Sequence, residues 1–95
     1  MNRRSRLEIH MDIMMTLADG PKSPTRLMYT TNLSWAPLQE CLKALIDQSL
    51  LQESKQSFRR RRYALTEKGK YVVSRYADFM KDLGPGAAEQ IKELH

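Results

Sequence analysis

The chain has few of the residue types from which catalytic and metal sites are built. Of its 95 residues one is cysteine, Cys41, so no disulfide can form within the chain, and two are histidines, His10 and His95, far apart in sequence. Acidic residues are scattered singly, and no glycine-rich phosphate loop is present. We therefore expect no enzymatic activity, no metal and no cofactor, with Cys41 buried as a small apolar residue rather than acting as a reactive thiol.

Long apolar runs are also missing. No stretch approaches the roughly 20 residues of a transmembrane helix, and the start of the chain lacks the apolar segment of a signal peptide. These absences predict a cytoplasmic protein, and its basic character favours association with the nucleoid.

What the chain does contain is a clustered excess of basic residues. The net charge is +5 at pH 7, and Arg3, Arg4 and Arg6 open the chain as a candidate basic arm. The second cluster consists of Lys55, Arg59, Arg60, Arg61 and Arg62. Clustering of this kind predicts a polyanion as partner, and nucleic acid is favoured over membrane because no basic amphipathic helix accompanies it. The alternative is an ordinary solvated run of charge.

A central amphipathic helix is predicted at 34–48. Ser34 is expected to cap it through its side chain, and Pro37 falls in the first turn, where a missing N–H is tolerated. Its core stripe consists of Leu38, Leu42, Leu45 and Ser49, with Cys41 and Ile46 beside it. The opposite face carries Ala36, Gln39, Glu40 and Lys43. Such a small, polar face fits a DNA groove, although a solvated helix face is the alternative.

Two helices are predicted before the central one. The first spans 3–19. Its core stripe consists of Leu7, Met11, Met14 and Ala18, broadened by Ile13 and Leu17, and Met15 is expected to fill the core as the other methionines do. The second starts at Pro24, is capped by Ser23 and runs to Thr31. Asn32 tolerates left-handed backbone geometry and is expected to turn the chain into the central helix. A short helix, a tight turn and a longer amphipathic helix together form a helix-turn-helix.

After the central helix the apolar pattern alternates, which predicts a β-hairpin. Its strands are expected at 51–55 and 58–65, with a tip near Gln56 and Ser57. Alternation places Tyr63 and Leu65 on one face and Arg60 and Arg62 on the other. Like charges on a strand repel unless an anion compensates them, so this basic ribbon is interpreted as a DNA-binding wing.

A fourth helix is predicted from Glu67 to Leu83, with Thr66 as its cap. Residues at spacings of three and four form a seam of two heptads, which suggests pairing with a second copy. The predicted dimer contacts are Val72, Tyr76, Phe79, Met80 and Leu83. Packing of this helix on its own domain alone is the alternative. Glycine and proline at 84–86 are expected to end the helix before a short polar tail.

These elements predict a mainly α fold with a small β-hairpin, a winged helix-turn-helix. The division is a DNA-binding domain at 1–65, a dimerisation helix at 66–83 and a polar tail at 84–95. The predicted DNA contacts are Arg26, Ser34, Trp35, Ala36, Gln39, Lys43, Lys55, Arg59, Arg60, Arg61 and Arg62. Weaker candidates for phosphate contacts are Lys22, Thr25, Thr30 and Thr31. Trp35 has half-buried support of the turn as its alternative role.

Four segments also carry a resemblance to a known family. They are SRLEI at 5–9, TRLMY at 25–29, NLS at 32–34 and ALTEKGK at 64–70. The chain resembles the archaeal winged-helix DNA-binding proteins of about ten kilodaltons, which include an abundant chromatin protein and predicted transcription regulators. The resemblance implies a homodimer joined by an antiparallel coiled coil of the last helices, with DNA met by the third helix and the wing.

The resulting hypothesis is a homodimeric transcription regulator that binds double-stranded DNA in a sequence-dependent way. Two alternatives stay open at this point. One is an architectural chromatin protein that uses the same surface without sequence preference. The other is a winged-helix module that binds a protein of the transcription machinery.

Overall fold

Four helices surround a two-stranded antiparallel hairpin in the computed structural model, which describes residues 5–55 and 60–84. The elements in chain order are α1 (Arg6–Thr16), α2 (Pro24–Thr31), α3 (Trp35–Asp47), β1 (Leu51–Lys55), β2 (Arg61–Leu65) and α4 (Glu67–Leu83). This order confirms the predicted winged helix-turn-helix of mainly α character. Within the described residues, no helix combines the length and the apolar character needed to cross a membrane.

α1 is shorter than predicted at both ends. The Ser5 hydroxyl accepts from Glu8 N–H and the Glu8 carboxylate accepts from Ser5 N–H, both at 3.1 Å, so this capping box starts the helix at Arg6 rather than at residue 3. At the other end, Leu17 N–H is shared between the carbonyls of Ile13 and Met14, which tightens the last turn. The helix therefore ends at Thr16, three residues before the predicted end.

The core face of α1 is shorter than the predicted stripe. The predicted core residues Met11, Ile13, Met14 and Leu17 are buried, whereas Leu7, Met15 and Ala18 are exposed. Leu7 and Ala18 lie beyond the ends of the packed segment, and Met15 is rotated about 100° from Met14. Position along the helix thus decides burial as much as periodicity does.

The helix-turn-helix has the predicted bounds in α2 and the predicted turn. The Ser23 hydroxyl accepts from Arg26 N–H at 3.2 Å, and Asn32 adopts φ 58° and ψ 35°, the left-handed conformation that reverses the chain. Ser34 occupies the N-cap position of α3, but its side chain makes no capping hydrogen bond within the described part of the chain. The prediction of a side-chain cap at Ser34 is therefore wrong.

α3 buries Leu38, Leu42 and Leu45 as predicted, but not Ser49. Ser49 lies past the end of the helix with φ 63° and is exposed. Its N–H donates to the Ile46 carbonyl and Leu50 N–H donates to the Leu45 carbonyl, both at 2.9 Å, which is a Schellman motif. The left-handed residue turns the chain away from the stripe, so Ser49 faces solvent and Leu50 is buried in its place.

The hairpin pairs β1 with β2 in the register Leu51↔Leu65 to Lys55↔Arg61. β2 begins at Arg61, three residues later than predicted, and the predicted tip at Gln56 and Ser57 lies outside the described residues. A further bridge joins β2 to the segment before α2. Lys22 N–H donates to the Tyr63 carbonyl at 3.0 Å and Tyr63 N–H donates to the Lys22 carbonyl at 2.9 Å, so the hairpin is attached to the helix-turn-helix.

The start of α4 is bonded to the end of α3. The Thr66 hydroxyl accepts from Gly69 N–H at 2.9 Å and donates to the Ser49 carbonyl at 2.6 Å. Thr66 N–H donates to the Leu50 carbonyl at 3.1 Å, and the Lys68 ammonium donates to the Gln48 carbonyl at 2.9 Å. These bonds satisfy carbonyls of the three residues that connect α3 to β1, and they hold α4 against this connection.

α4 has the predicted bounds and packs on its own domain through Val73, which the predicted seam omitted, and through the partly buried seam residues Val72 and Tyr76. Val73 is buried with 8% exposure, while Phe79 and Leu83 are 50% and 39% exposed. The helix contacts both α1 and β2. The core of the described chain consists of Met11, Ile13, Met14, Leu17, Leu27, Leu38, Leu42, Leu45, Leu50, Leu51, Tyr63, Leu65 and Val73.

Replacement of Gly69 by alanine is expected to destabilise the fold. A Cβ at this position would clash with the Leu50 carbonyl oxygen, a backbone atom that cannot move without breaking the bond to Thr66. Overpacking of this kind costs about 1–3 kcal/mol, whereas glycine to alanine inside a helix is normally stabilising by roughly 0.5–1 kcal/mol. Urea unfolding measures the difference. Ser74→Ala, at an exposed position of α4, is the control, and a Gly69→Ala protein as stable as wild type would contradict the close approach.

His10 gives the fold a dependence on pH. Its Nε2 is buried without a hydrogen-bond partner among the described residues, and burial, followed by the nearby Arg6 charge, lowers its pKa below the ordinary value of 6.5. As pH falls below 6.5 the unfolded chain takes up the proton first, so the free energy of unfolding falls with it. We expect His10→Gln to flatten the decline in stability between pH 7.5 and pH 5. An equally steep decline in that variant would assign the pH dependence to other groups.

Candidate nucleic-acid interface

The polar face of α3 and the hairpin flank one cleft of about 410 Å³. The residues that line it are Gln39, Glu40, Leu42, Lys43, Ile46, Glu53, Arg61 and Tyr63. Three of the predicted DNA contacts, Gln39, Lys43 and Arg61, are therefore brought together on one surface. α3 and β1 follow each other in the chain and are in direct contact, which places the helix beside the hairpin.

The outward face of α3 has the predicted exposure. Ala36, Gln39 and Lys43 are exposed, as is Ser34 at the start of the helix. Trp35 is partly buried and packs against the core, as expected for a residue that supports the turn. Glutamine and lysine side chains can bond to base edges in a major groove, and a small residue such as Ala36 lets a helix approach closely.

The arginine cluster of the hairpin is not uniform. Arg61 lies on the same strand face as Tyr63 and Leu65 and is 24% exposed, with its Nε 3.2 Å from a carboxylate oxygen of Glu53. The contact is an ion pair rather than a hydrogen bond, since Nε has no hydrogen-bond partner among the described residues. Alternation predicts Arg60 and Arg62 on the outer face, and Arg61 accordingly lies on the inner one; its contact with DNA stays a prediction. Strand alternation turns it inward, where the acid of β1 lies diagonally opposite.

The remaining basic residues of the hairpin differ from Arg61. Arg62 is exposed, on the opposite strand face, and its guanidinium donates to the Arg61 carbonyl at 3.0 Å. Lys55 at the end of β1 and Arg60 before β2 are exposed as well. Arg59 and its neighbour Phe58 lie outside the described residues.

Glu53 is a residue of this cleft that the sequence reasoning did not single out. Besides Arg61 it lies beside Tyr63, whose pKa is raised first by burial and then by the hydrogen bond to Glu53 and the charge of that carboxylate. The three side chains therefore form one interacting group on the inner face of the hairpin. The sequence signal of this contact is a pair of opposite charges, Glu53 and Arg61, on neighbouring strands. The signal can be read only when the pairing of β1 with β2 is known.

The weaker phosphate candidates on and before α2 separate into two kinds. Thr25, Arg26 and Thr30 are exposed. Thr31 is fully buried and its hydroxyl donates to the Leu27 carbonyl at 2.7 Å, so its prediction as a phosphate contact is wrong. It lies four residues after Leu27, on the core side of the helix.

Lys22, before α2, is already paired within the chain. Its ammonium is 2.7 Å from the Asp19 carboxylate and 3.3 Å from the Gly20 carbonyl. The hydrogen bond and the charge of Lys22 lower the pKa of Asp19. Lys22 is therefore a weaker candidate for phosphate than Arg26.

The predicted basic arm does not join this surface in the described residues. Arg3 and Arg4 lie outside them, and Arg6 begins α1, where it lines a separate cleft with His10, Ala44 and Gln48. Within residues 5–55 and 60–84, no group of three or more histidine, cysteine, aspartate or glutamate side chains is placed to hold a metal ion. Cys41 is partly buried, and burial raises its pKa.

The predicted dimer residues along α4 differ in how far they are buried. Val72, Tyr76 and Met80 are partly buried, and Phe79 and Leu83 are exposed. Gly84 ends the helix as predicted, and Pro85, Gly86 and the polar tail lie outside the described residues.

The chain matches the family described as Winged helix-turn-helix over residues 3–83. A curated relative is an uncharacterized protein of Methanocaldococcus jannaschii. It is 31% identical over 72 residues, which are 76% of this chain and 69% of the relative.

Two solved structures show how widely the fold is shared. Sso10a-2, a DNA-binding protein from Sulfolobus solfataricus, is similar with a TM-score of 0.69 and 28% identity, and the match covers 96% of each chain. A MarR family transcriptional regulator from Silicibacter pomeroyi is similar with a TM-score of 0.74 and 18% identity over 84% of this chain. The chain spans little more than half of that regulator, 55% of its length, and this likeness concerns the fold alone.

Proposed function

We propose, from the premise that this chain belongs to the winged helix-turn-helix family, that it is a transcription regulator that binds double-stranded DNA in a sequence-dependent way. The observation that carries the proposal is the single cleft between the polar face of α3 and the hairpin. Support also comes from Sso10a-2, a DNA-binding protein whose fold matches this chain over nearly its whole length.

In this proposal α3 enters the major groove. Gln39 and Lys43 donate to base edges. Ala36 and Ser34 have small side chains where the helix comes closest to the DNA, and Trp35 supports the turn behind them. Glu40 shares the cleft with them. A carboxylate there repels phosphate but can accept from the amino group of cytosine, so it favours base readout over general affinity.

We assign the general affinity for DNA to exposed basic side chains at the border of the cleft. Lys55, Arg60 and Arg62 on the hairpin and Arg26 on α2 are placed to contact phosphates, and Arg59 is included from the sequence. Such contacts position a protein on the duplex without reading sequence. An architectural chromatin protein without sequence preference would rely on them alone. The acids Glu40 and Glu53 inside the cleft argue against that alternative.

We further propose a homodimer formed through α4, with 1–65 as the DNA-binding part and 66–83 as the dimerisation helix. Phe79 and Leu83 are apolar and exposed near the end of α4, with Val72, Tyr76 and Met80 partly exposed along it. Apolar residues at this spacing are typical of helix pairing. Two copies would present two clefts to one duplex.

The wing prediction is tested by Arg60→Ala/Arg62→Ala. Each lost phosphate contact is expected to reduce the slope of log affinity against log salt by about 0.9, for target and scrambled duplexes alike. Fluorescence anisotropy at several salt concentrations measures it, with a target duplex selected from a randomised pool and a scrambled duplex of equal composition. Wild type should prefer the target by a factor of roughly a thousand or more.

Arg75→Ala/Lys81→Ala is the matched control, because it also removes two positive charges, from a cleft on α4 that is lined by Asp78 and Phe79 instead. An unchanged slope in the wing variant would remove the wing from the interface. Equal affinity for target and scrambled duplexes would favour the architectural alternative. Failure to bind any duplex at low salt, with a protein of the transcription machinery bound instead, would favour the interaction module.

The dimer prediction is tested by Phe79→Asp. A carboxylate at this exposed apolar position would have to be desolvated in the dimer, so the variant is expected to sediment as a monomer at concentrations where wild type is a dimer. Tyr71→Asp is the control, since Tyr71 is 65% exposed on α4 but outside the predicted seam. A dimer that survives Phe79→Asp but not Tyr71→Asp would move the interface to another face of α4.

A further inference from the structure

The cleft between α3 and the hairpin carries no net charge, although the chain as a whole carries +5. Its charged lining residues are Glu40, Lys43, Glu53 and Arg61, two of each sign, so their sum is zero. Lys43 and Glu40 are exposed on α3. Arg61 and Glu53 form the ion pair at 3.2 Å, and their side chains are 24% and 35% exposed.

We propose that Glu53 is a specificity-determining residue that keeps Arg61 neutralised until a closely fitted duplex displaces the carboxylate. This inference rests on the proposed function, since it assigns a role within the same DNA-binding surface. Arg61 would then contribute little to loosely held, unrelated sequences and would contribute to the complex with the target. Glu53 itself is a positioning residue, because it acts through Arg61.

The geometry supports a pair that can open. An ion pair between partly exposed side chains is only marginally stable in water, and this one lacks a hydrogen bond at Nε. A phosphate or a guanine edge offers a guanidinium group two acceptors in a geometry that it matches. Such an acceptor competes with Glu53 only when it comes within hydrogen-bonding distance, which requires the duplex to enter the cleft.

The position of the pair explains why the effect would depend on sequence. Arg61 faces inward beside Tyr63, whereas Arg62 faces outward and Lys55 and Arg60 are exposed on the same ribbon. The exposed cations can reach the phosphates of any duplex. A target that lets α3 settle into the groove also brings an acceptor to Arg61, while a duplex held at the border of the cleft does not.

The first test is Glu53→Gln, which removes the carboxylate charge and leaves a side chain of similar size. The freed Arg61 is expected to add one contact with scrambled duplex, which steepens its salt slope by about 0.9, so its fall in affinity between 50 and 200 mM salt becomes about 3.5 times larger. Affinity for scrambled duplex should rise more than affinity for the selected target. The preference for the target should therefore narrow.

The decisive variant removes both charges together, Glu53→Gln/Arg61→Gln. Since the net charge of the chain is unchanged, long-range electrostatics cannot account for its effects. We expect its affinity for scrambled duplex and its salt slope to equal those of wild type, because the neutralised pair of Glu53 and Arg61 makes no contact with scrambled duplex. Its affinity for the target should fall, because the contact from Arg61 is lost.

Glu40→Gln is the comparison variant, since it removes the same charge from the same cleft without releasing an arginine. Its readout is the scrambled duplex alone, because Glu40 is proposed to read bases of the target. It should steepen the salt slope for scrambled duplex less than Glu53→Gln does. Thermal unfolding checks that each variant is folded. If Glu53→Gln is poorly folded, Glu53→Asp takes its place. This variant keeps the carboxylate charge but moves it one methylene farther from Arg61, so an intermediate effect on affinity is expected.

Several results would overturn the inference while leaving the proposed function intact. They are a fall in affinity for scrambled duplex in Glu53→Gln, an equal slope change in Glu40→Gln, and an equal loss for both duplexes in the double variant. A wild-type chain that binds no duplex, or binds all duplexes equally, would remove the proposed function and the inference with it.

Discussion

The junction between the end of α3 and the start of α4 is the contact on which the rest of the structure depends. Carbonyls of Gln48, Ser49 and Leu50 accept hydrogen bonds from Lys68 and Thr66, and Gly69 allows the two backbones to approach. The hairpin begins at Leu51, immediately after this junction. One set of bonds therefore holds α4 against the connection between α3 and the hairpin, the two elements that flank the cleft.

Much of this fold could be predicted because local signals and tertiary packing agree. Serine or threonine caps mark the starts of α2 and α4, the left-handed Asn32 marks the turn, and alternation marks the hairpin. Errors arose where geometry beyond one element decides the outcome. Leu7 has the apolar spacing of α1 but is exposed, because it lies in the first turn, before the packed part of the helix. Ser49 left the apolar stripe because a Schellman motif ended α3.

Which residues form the candidate site could largely be predicted from the sequence, but the contacts between their side chains could not. Exposure of Gln39, Lys43 and Arg62 follows from helix and strand periodicity alone. The contact of Arg61 with Glu53 requires the register of β1 against β2, and the burial of Thr31 requires the direction in which α2 faces the core. DNA contacts and the dimer surface remain predictions, since they involve a second molecule.

The two reciprocal bonds between Lys22 and Tyr63 have a mechanical consequence. A hairpin that pairs only with itself can pivot on its base. Here β2 is also attached to the segment that leads into α2. Tilting the ribbon would break both bonds at once. In the proposed complex a duplex would therefore have to adapt to a fixed hairpin, and the energy needed to deform the DNA would enter the affinity.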